Sequence, residues 1–152
     1  MANRPANRTF KKKEVLKAIT IPESTFEHWA DRKLFGLAPD DFPGDGRGKP
    51  RRFGMRTLVK LAIAYRASLT GIPANLAVSL AEKFTDTPQH GRPLGQPFPI
   101  GTTWIVLSPS RKASVVNVKP EEDASALLEE ATIVINVNRI ISAINFDIGI
   151  IK

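Results

Sequence analysis

Hydrophobic residues near the start of the chain recur at helical spacing in two short segments. They predict one helix over residues 11–18, with Thr9 as its N-cap, and a second that has Pro22 at its first position and runs through residues 23–32. Val15, Leu16 and Ile19 would face inward from the first helix, and Phe26, Trp29 and Ala30 from the second. Two short helices separated by a short break are typical of a helix-turn-helix.

Two longer amphipathic segments follow, and they predict helices over residues 55–69 and 73–84. The inward face of the first of these is expected to contain Leu58, Leu61, Ala62, Tyr65 and Leu69, with Arg56 and Lys60 on the opposite face. Between the second and third predicted helices stands GDGRGKPRRF, residues 44–53. Its glycines, prolines and cations favour a loop over a helix or strand interior.

The pattern changes after residue 84. Residues 85–99 contain several prolines and glycines and are expected to form a linker. TTWIVL and ASVVNV then predict a β-hairpin, and TIVINV a third strand. Between them Pro120 is expected to open a short helix, and Asn138 to cap a terminal one. That last helix has a ridge of four isoleucines, Ile140, Ile141, Ile144 and Ile148. The ridge is expected to contact a second copy or a protein partner, or to belong to the core of this domain.

These patterns together predict an α+β protein. A disordered basic arm (1–8) precedes a mostly helical N-terminal domain (9–84), and the linker leads to a small α/β domain (100–152). The formal net charge of +7 is unevenly placed, since residues 1–85 contain 16 Lys or Arg against 8 Asp or Glu, and the remainder 6 against 7. The excess of positive charge lies in residues 1–85 and favours a polyanionic partner for that half of the chain. Nucleic acid is the preferred candidate, and an acidic membrane surface is the second.

Several functional classes are not expected. The chain has no cysteine, which excludes a disulfide scaffold, a thiolate metal site and a cysteine nucleophile. Its two histidines are far apart, and GDGRG lacks the GK[ST] ending of a phosphate-binding loop. We therefore expect no enzyme, no catalytic residue, no metal and no cofactor. Neither a membrane span nor a signal peptide is apparent, so a cytoplasmic protein without a membrane partner is expected.

The segment TIPESTFEHWADRKLF resembles the helix-turn-helix of MerR-type regulators. Thr25, Phe26, His28 and Trp29 fall where that family has a threonine, an aliphatic residue and paired aromatics in its second helix. Arg51, Arg52 and Phe53 match the strand that returns from the family's wing, and Leu69, Thr70, Gly71 and Ile72 match a later Gly-aromatic step. The resemblance covers about residues 9–84.

The resemblance implies a winged helix-turn-helix that binds double-stranded DNA. Its second helix would enter the major groove, and its wing would lie on the flanking backbone or minor groove. The residues expected to contact DNA are Ser24, Thr25 and His28 on the second helix, Arg47, Lys49, Arg51 and Arg52 in the wing, and Arg4, Arg8 and Lys11 near the N-terminus. Phe53 would pack inward as the anchor of the wing.

This chain departs from the family pattern in two places. Ser24 and Glu27 stand where arginines are common, and the long dimerising C-terminal helix is replaced by the small α/β domain. We expect that domain to form a homodimer, to bind a protein partner, or both. The sequence thus indicates a transcriptional regulator. It leaves open an excisionase-like or DNA-packaging recognition factor of a mobile element or phage, and a protein-interaction module without specific DNA binding.

Overall fold

The computed structural model describes residues 8–46, 48–110, 112–125 and 131–145, over which the chain is a mixed α+β protein with two small antiparallel sheets. The helices within these residues are α1 Lys12–Ile19, α2 Glu23–Asp31, α3 Met55–Ser68, α4 Ala74–Thr85 and α5 Val137–Ser142. The strands are β1 Thr9–Phe10, β2 Phe53–Gly54, β3 Thr102–Leu107, β4 Ala113–Val118 and β5 Ile133–Asn136. The predicted disordered arm falls almost wholly outside the described residues.

Helix α3 occupies the centre of the protein. Nine of its fourteen residues are buried, and it contacts α1, α4, α5 and β2. The prediction that Lys60 lies on an outward face is wrong, since this side chain is only 4% exposed and its ammonium donates a 2.6 Å hydrogen bond to Asp86. Leu69, expected to face inward, is 63% exposed because α3 ends one residue before it. Because α3 is covered by other elements on most sides, the face predicted to be polar and exposed is largely buried.

The first two helices form close to their predicted bounds, but their caps differ. Thr9 is not an N-cap, because it lies in β1 and pairs with Gly54. Lys11 stands at the N-cap of α1, where its backbone N–H donates a 2.8 Å hydrogen bond to Oε1 of Glu14. Pro22 is the N-cap of α2 and not its first helical residue, a difference of one position.

The second sheet has the strand order β4-β3-β5, with both neighbours antiparallel to β3. The predicted hairpin and third strand are confirmed. Ile105 in the middle of β3 pairs with Val115 on one side and Ile135 on the other, and all three side chains are buried. Strands β3 and β4 contact α4, and β3 also contacts α5. The buried face of this sheet therefore packs against the helices.

Two predictions in the last third of the chain are wrong. Residues 120–122 form a turn and not the start of a helix, and Oε1 of Glu122 accepts a 2.8 Å hydrogen bond from the Lys119 N–H. The cap of α5 is Asn136, whose Oδ1 accepts from the N–H of Arg139 at 3.0 Å. Asn138 instead accepts a 2.6 Å hydrogen bond from the N–H of Thr103 and joins α5 to β3.

Residues 85–99 are held against α4 by the side chain of Arg92, which is 6% exposed. Its guanidinium donates to the carbonyls of Phe84 at 2.9 Å and Lys83 at 3.3 Å, and to Oε1 of Gln89 at 2.7 Å. It also lies 4.6 Å from the ring centroid of Phe84. Burial lowers the pKa of Arg92, although an arginine side chain stays protonated in proteins. The guanidinium thus supplies donors to carbonyls that the end of α4 leaves unpaired.

Buried hydrophobic residues from α1 to α5 and from the second sheet belong to one cluster. The predicted division of the chain into two domains around residues 85–99 stays a prediction.

Replacement of Arg92 tests the importance of this contact. We expect Arg92→Gln to lower the free energy of unfolding by about 2–4 kcal/mol, because the carbonyls of Lys83 and Phe84 lose the hydrogen bonds from the guanidinium. The matched change Lys112→Gln alters an exposed cation, so its effect should stay within about 0.5 kcal/mol. Urea unfolding followed by circular dichroism measures both. Equal stability of the two variants would contradict a structural role for Arg92.

Candidate nucleic-acid interface

Helix α2 has one buried face and one exposed face. Phe26 and Trp29 point into the core. Ser24, Glu27 and His28 are exposed, and their spacing places them on the opposite side of the helix. Thr25, which was also expected to contact DNA, is half-buried at the side of this face.

Aromatic contacts fix the position of α2. The Phe26 ring lies 5.6 Å from that of Phe35 and meets the ring of Phe53 edge-on at 5.5 Å between centroids. Trp29 similarly contacts Tyr65 of α3 at 6.5 Å. Edge-to-face geometry is favourable for aromatic pairs. Helix α2 therefore lies directly against the strand at the end of the cationic loop.

The cationic loop is closed at its base, and we call residues 42–52 the 42–52 hairpin. Phe42 and Arg52 exchange both backbone hydrogen bonds, at 2.9 and 2.8 Å, and farther along the N–H of Asp45 donates to the carbonyl of Lys49 at 3.1 Å. Gly44 has φ +84°, and a Cβ there would lie 2.8 Å from the Lys49 carbonyl oxygen, so the turn requires glycine. Lys49 is exposed near the tip, and Arg47 lies outside the described residues.

The base of the hairpin rests on the buried carboxylate of Asp41, which is 0% exposed. Its Oδ2 accepts from the Ala38 N–H and the Thr57 hydroxyl, both at 2.9 Å, and its Oδ1 accepts from the Gly54 N–H at 2.6 Å. Next to it, Oδ2 of Asp40 accepts from the N–H of Arg56 at 3.2 Å. These aspartates supply acceptors at the start of α3, whose own N-cap is a glycine.

Arg51 completes this arrangement. Its guanidinium lies 4.7 Å from the Phe53 ring and 5.6 Å from the Phe35 ring, and it donates to Oδ2 of Asp41 at 3.3 Å and to the Gly36 carbonyl at 3.1 Å. Stacking on aromatic faces and a carboxylate contact are interactions that favour arginine over lysine. We assign to Arg51 a structural role at the base of the hairpin.

Arg52 is also bound within the protein. Its Nε donates to the hydroxyl of Thr9 at 2.8 Å, and a terminal nitrogen donates to the Thr9 carbonyl at 2.9 Å. These bonds reinforce the pairing of β1 with β2. The sequence analysis placed Arg51 and Arg52 against DNA, and the structure provides both with partners inside the chain.

Lys12 of α1 neutralises the acidic start of α2. Its ammonium contacts the carboxylates of both Glu23, at 2.9 Å, and Glu27. Hydrogen bonds to these carboxylates, above all to Glu27, raise the pKa of Lys12. Two of the three acidic groups on α2 therefore share one cation.

The remaining predicted contacts are spread around this region. Lys11 is exposed at the start of α1, Arg8 is half-buried just before β1, and Arg4 lies outside the described residues. The structure thus brings together α2, the start of α1 and the 42–52 hairpin. Asp41, Asp40 and Lys12 also belong to this region, although the sequence pattern did not indicate them. The sequence did contain one indication, since Gly54 at the start of α3 has no side chain to cap the helix and two adjacent aspartates precede it in the chain.

The isoleucine ridge of the last helix is largely internal. Ile140 and Ile144 are buried in the core, Ile141 is half-buried, and Ile148 lies outside the described residues. For the two buried residues this agrees with the core interpretation that the sequence left open. A dimer contact through this ridge stays a prediction.

Among the described residues, no group of three or more His, Asp or Glu side chains is arranged to hold a metal ion. No helix in the same part of the chain is long and apolar enough to cross a membrane. Comparison of the chain with protein-family models and with curated proteins finds no match.

The two cations of the hairpin should respond differently to neutralisation. We expect Arg51→Gln to lower the free energy of unfolding by about 2–3 kcal/mol, because it leaves the Asp41 carboxylate buried without its cation. Lys49→Gln removes an exposed charge and should change it by less than about 0.5 kcal/mol. Chemical unfolding of both variants measures the difference. A stable Arg51→Gln protein would show that this guanidinium is not needed for the fold.

Proposed function

We propose that this protein is a sequence-specific double-stranded DNA-binding transcriptional regulator with a MerR-like winged helix-turn-helix. In this proposal α2 enters the major groove, and the 42–52 hairpin is the wing that contacts the flanking backbone or minor groove. The observation that carries the proposal is the packing of Phe26 against Phe53, which places an exposed polar helix face next to a cationic hairpin.

The dimensions of α2 suit the major groove. An α-helix with its side chains is about 10–12 Å across, and the major groove of B-DNA is about 12 Å wide. The exposed residues offer a hydroxyl at Ser24, an imidazole at His28 and a carboxylate at Glu27. Hydroxyls and imidazoles bond to several base edges, and a carboxylate accepts from the amino group of cytosine. We therefore assign base recognition to this face.

Exposed lysines supply the phosphate contacts in this proposal. Lys11 and Lys13 lie at the start of α1, and Lys49 lies near the tip of the hairpin. Cations that neutralise phosphates provide much of the affinity and position the protein without reading sequence. We also expect a homodimer, which would bind a pseudo-palindromic site.

Selection of bound sequences from a random duplex pool by the full chain tests the proposal directly. We expect enrichment of a defined sequence. Retention of DNA without sequence preference, together with measured bending, would favour a packaging or recombination factor. If no duplex is retained at low salt, DNA binding is wrong and a protein-interaction module is favoured.

Single variants separate base recognition from phosphate contact. We expect Ser24→Ala and His28→Ala to change the selected sequence. Lys49→Gln should weaken binding equally for all sequences and reduce the slope of log affinity against log salt by about one. Lys119→Gln changes an exposed cation in the C-terminal part and serves as the control. A uniform loss of affinity in both sets would contradict the assignment of α2 to the major groove.

Lys12 is expected to affect DNA affinity through α2. Lys12→Gln leaves the carboxylates of Glu23 and Glu27 without their cation, and we expect about tenfold weaker binding from their repulsion of phosphate. Stability should change by less than about 1 kcal/mol, because the ion pairs are largely exposed. Lys17→Gln removes an exposed charge from the same helix, at a position with no assigned DNA contact, and serves as the control. Equal affinities of the two variants in a fluorescence-anisotropy titration would contradict this shielding.

A further inference from the structure

A groove that shares no lining residue with the candidate nucleic-acid interface lies between the end of α3, strand β5 and the start of α5. Its cavity has a volume of about 230 Å³. Among the described residues, strand β5 is at the edge of its sheet and pairs with β3 alone. The groove therefore joins residues from the N-terminal helices and from the C-terminal sheet.

The walls of this groove are mostly aliphatic. Ala67, Ile135 and Ile140 line it and are buried, and Ile72 and Ile133 line it and are half-buried. Such a lining gains free energy when it is covered by a hydrocarbon group. Apolar pockets with a few polar groups are the usual form of small-molecule sites.

Two arginines stand at the edge of the groove, Arg66 from α3 and Arg139 from α5. Both are exposed, and within the described residues neither side chain has a hydrogen bond or an ion pair. Arg51, Arg52 and Arg92, by contrast, all donate to acceptors in the protein. Arg66 and Arg139 thus keep their planar donor groups available for an anion.

Two oxygen atoms of the groove already have partners. The hydroxyl of Thr70 donates to the Ala67 carbonyl at 2.7 Å, and Oδ1 of Asn136 accepts from the Arg139 N–H at 3.0 Å. The charged groups that the groove offers to a ligand are two guanidinium groups beside an aliphatic surface. Guanidinium groups pair with carboxylates through two parallel hydrogen bonds.

The size of the cavity limits the ligand. A volume of about 230 Å³ equals the share of roughly eight water molecules in the liquid, which suits a molecule of a similar number of non-hydrogen atoms. Charge also favours an anion over a second copy of a chain whose net charge is +7.

We propose that this groove binds a small aliphatic carboxylate, with the carboxylate on Arg66 and Arg139 and the hydrocarbon part on the isoleucines of the groove. The site is independent of the proposed DNA interface. A ligand there would contact α3, β5 and α5 together.

Titration of the ¹⁵N-labelled full chain with 4-methylpentanoate tests this proposal. We expect saturable shifts of the backbone amide signals of Thr70 and of residues 133–136. A Kd of about 1 mM is expected for a ligand with about eight non-hydrogen atoms. The neutral isostere 4-methylpentanamide should bind about tenfold more weakly, because it lacks the charge that the arginines recognise.

The double variant Arg66→Gln/Arg139→Gln should lose affinity for the carboxylate by about tenfold or more, whereas Lys83→Gln/Lys119→Gln, which removes two exposed cations elsewhere, should retain it. The comparison of carboxylate and amide uses the unaltered chain and does not depend on the folding of a variant. Absence of saturation, equal affinity for the amide, or undiminished binding by the arginine variant would overturn the proposal.

Discussion

The buried carboxylate of Asp41 is the interaction on which the N-terminal part of the structure depends. It accepts hydrogen bonds from the segment after α2, from β2 and from the first turn of α3, and it carries the ion pair to Arg51. A fully buried charge is costly unless nearly all its acceptor positions are used, and here they are. The Asp41 carboxylate holds β2 through the Gly54 N–H, and β2 also contains Phe53. Phe26 of α2 packs against Phe53, so the position of α2 depends on the same carboxylate. The geometry of the candidate interface is thus set by a residue that does not face it.

Several cations have partners inside the protein, which changes what the net charge of +7 means for recognition. Arg51 and Lys60 form ion pairs with acidic side chains, whereas Arg52 and Arg92 keep their charge and donate to neutral acceptors. The donor groups of these four side chains are therefore engaged within the protein. The exposed cations near α1 and the hairpin tip are mostly lysines. A lysine ammonium is a point charge that suits phosphate and does not fix orientation as an arginine does. In the proposed complex, discrimination between DNA sequences would then rest on the neutral and acidic side chains of α2. The recognition helices of MerR-type regulators, which this segment resembles, commonly have arginines instead.

Periodicity in the sequence was sufficient to predict α1 to α4, the β3–β4 hairpin and β5, because each has a continuous pattern of apolar positions. It was insufficient where a side chain is positioned by residues distant in the chain. The local sequence around Lys60 predicts a surface residue, but its partner Asp86 follows α4 and is distant in the chain. Likewise the local sequence around Arg51 predicts an exposed wing residue, whereas in the fold this side chain contacts Asp41 and Phe35. The glycines and cations of residues 44–53 correctly indicated a loop that returns to the core through Phe53. They did not indicate which arginines remain available to a ligand. A local pattern shows the charged residues, but the groups that bind them in the fold are distant in the sequence.

The closed base of the 42–52 hairpin separates two parts of the chain that differ in their tolerance of substitution. Phe42 and Arg52 bring the strands together before the tip begins, so residues 44–49 can be lengthened, shortened or replaced with little change at Asp41 or Phe53. Gly44 is the exception, because only glycine fits against the Lys49 carbonyl. The tip of the hairpin can therefore be redesigned to change its length or charge while the core around Asp41 and Phe53 stays the same.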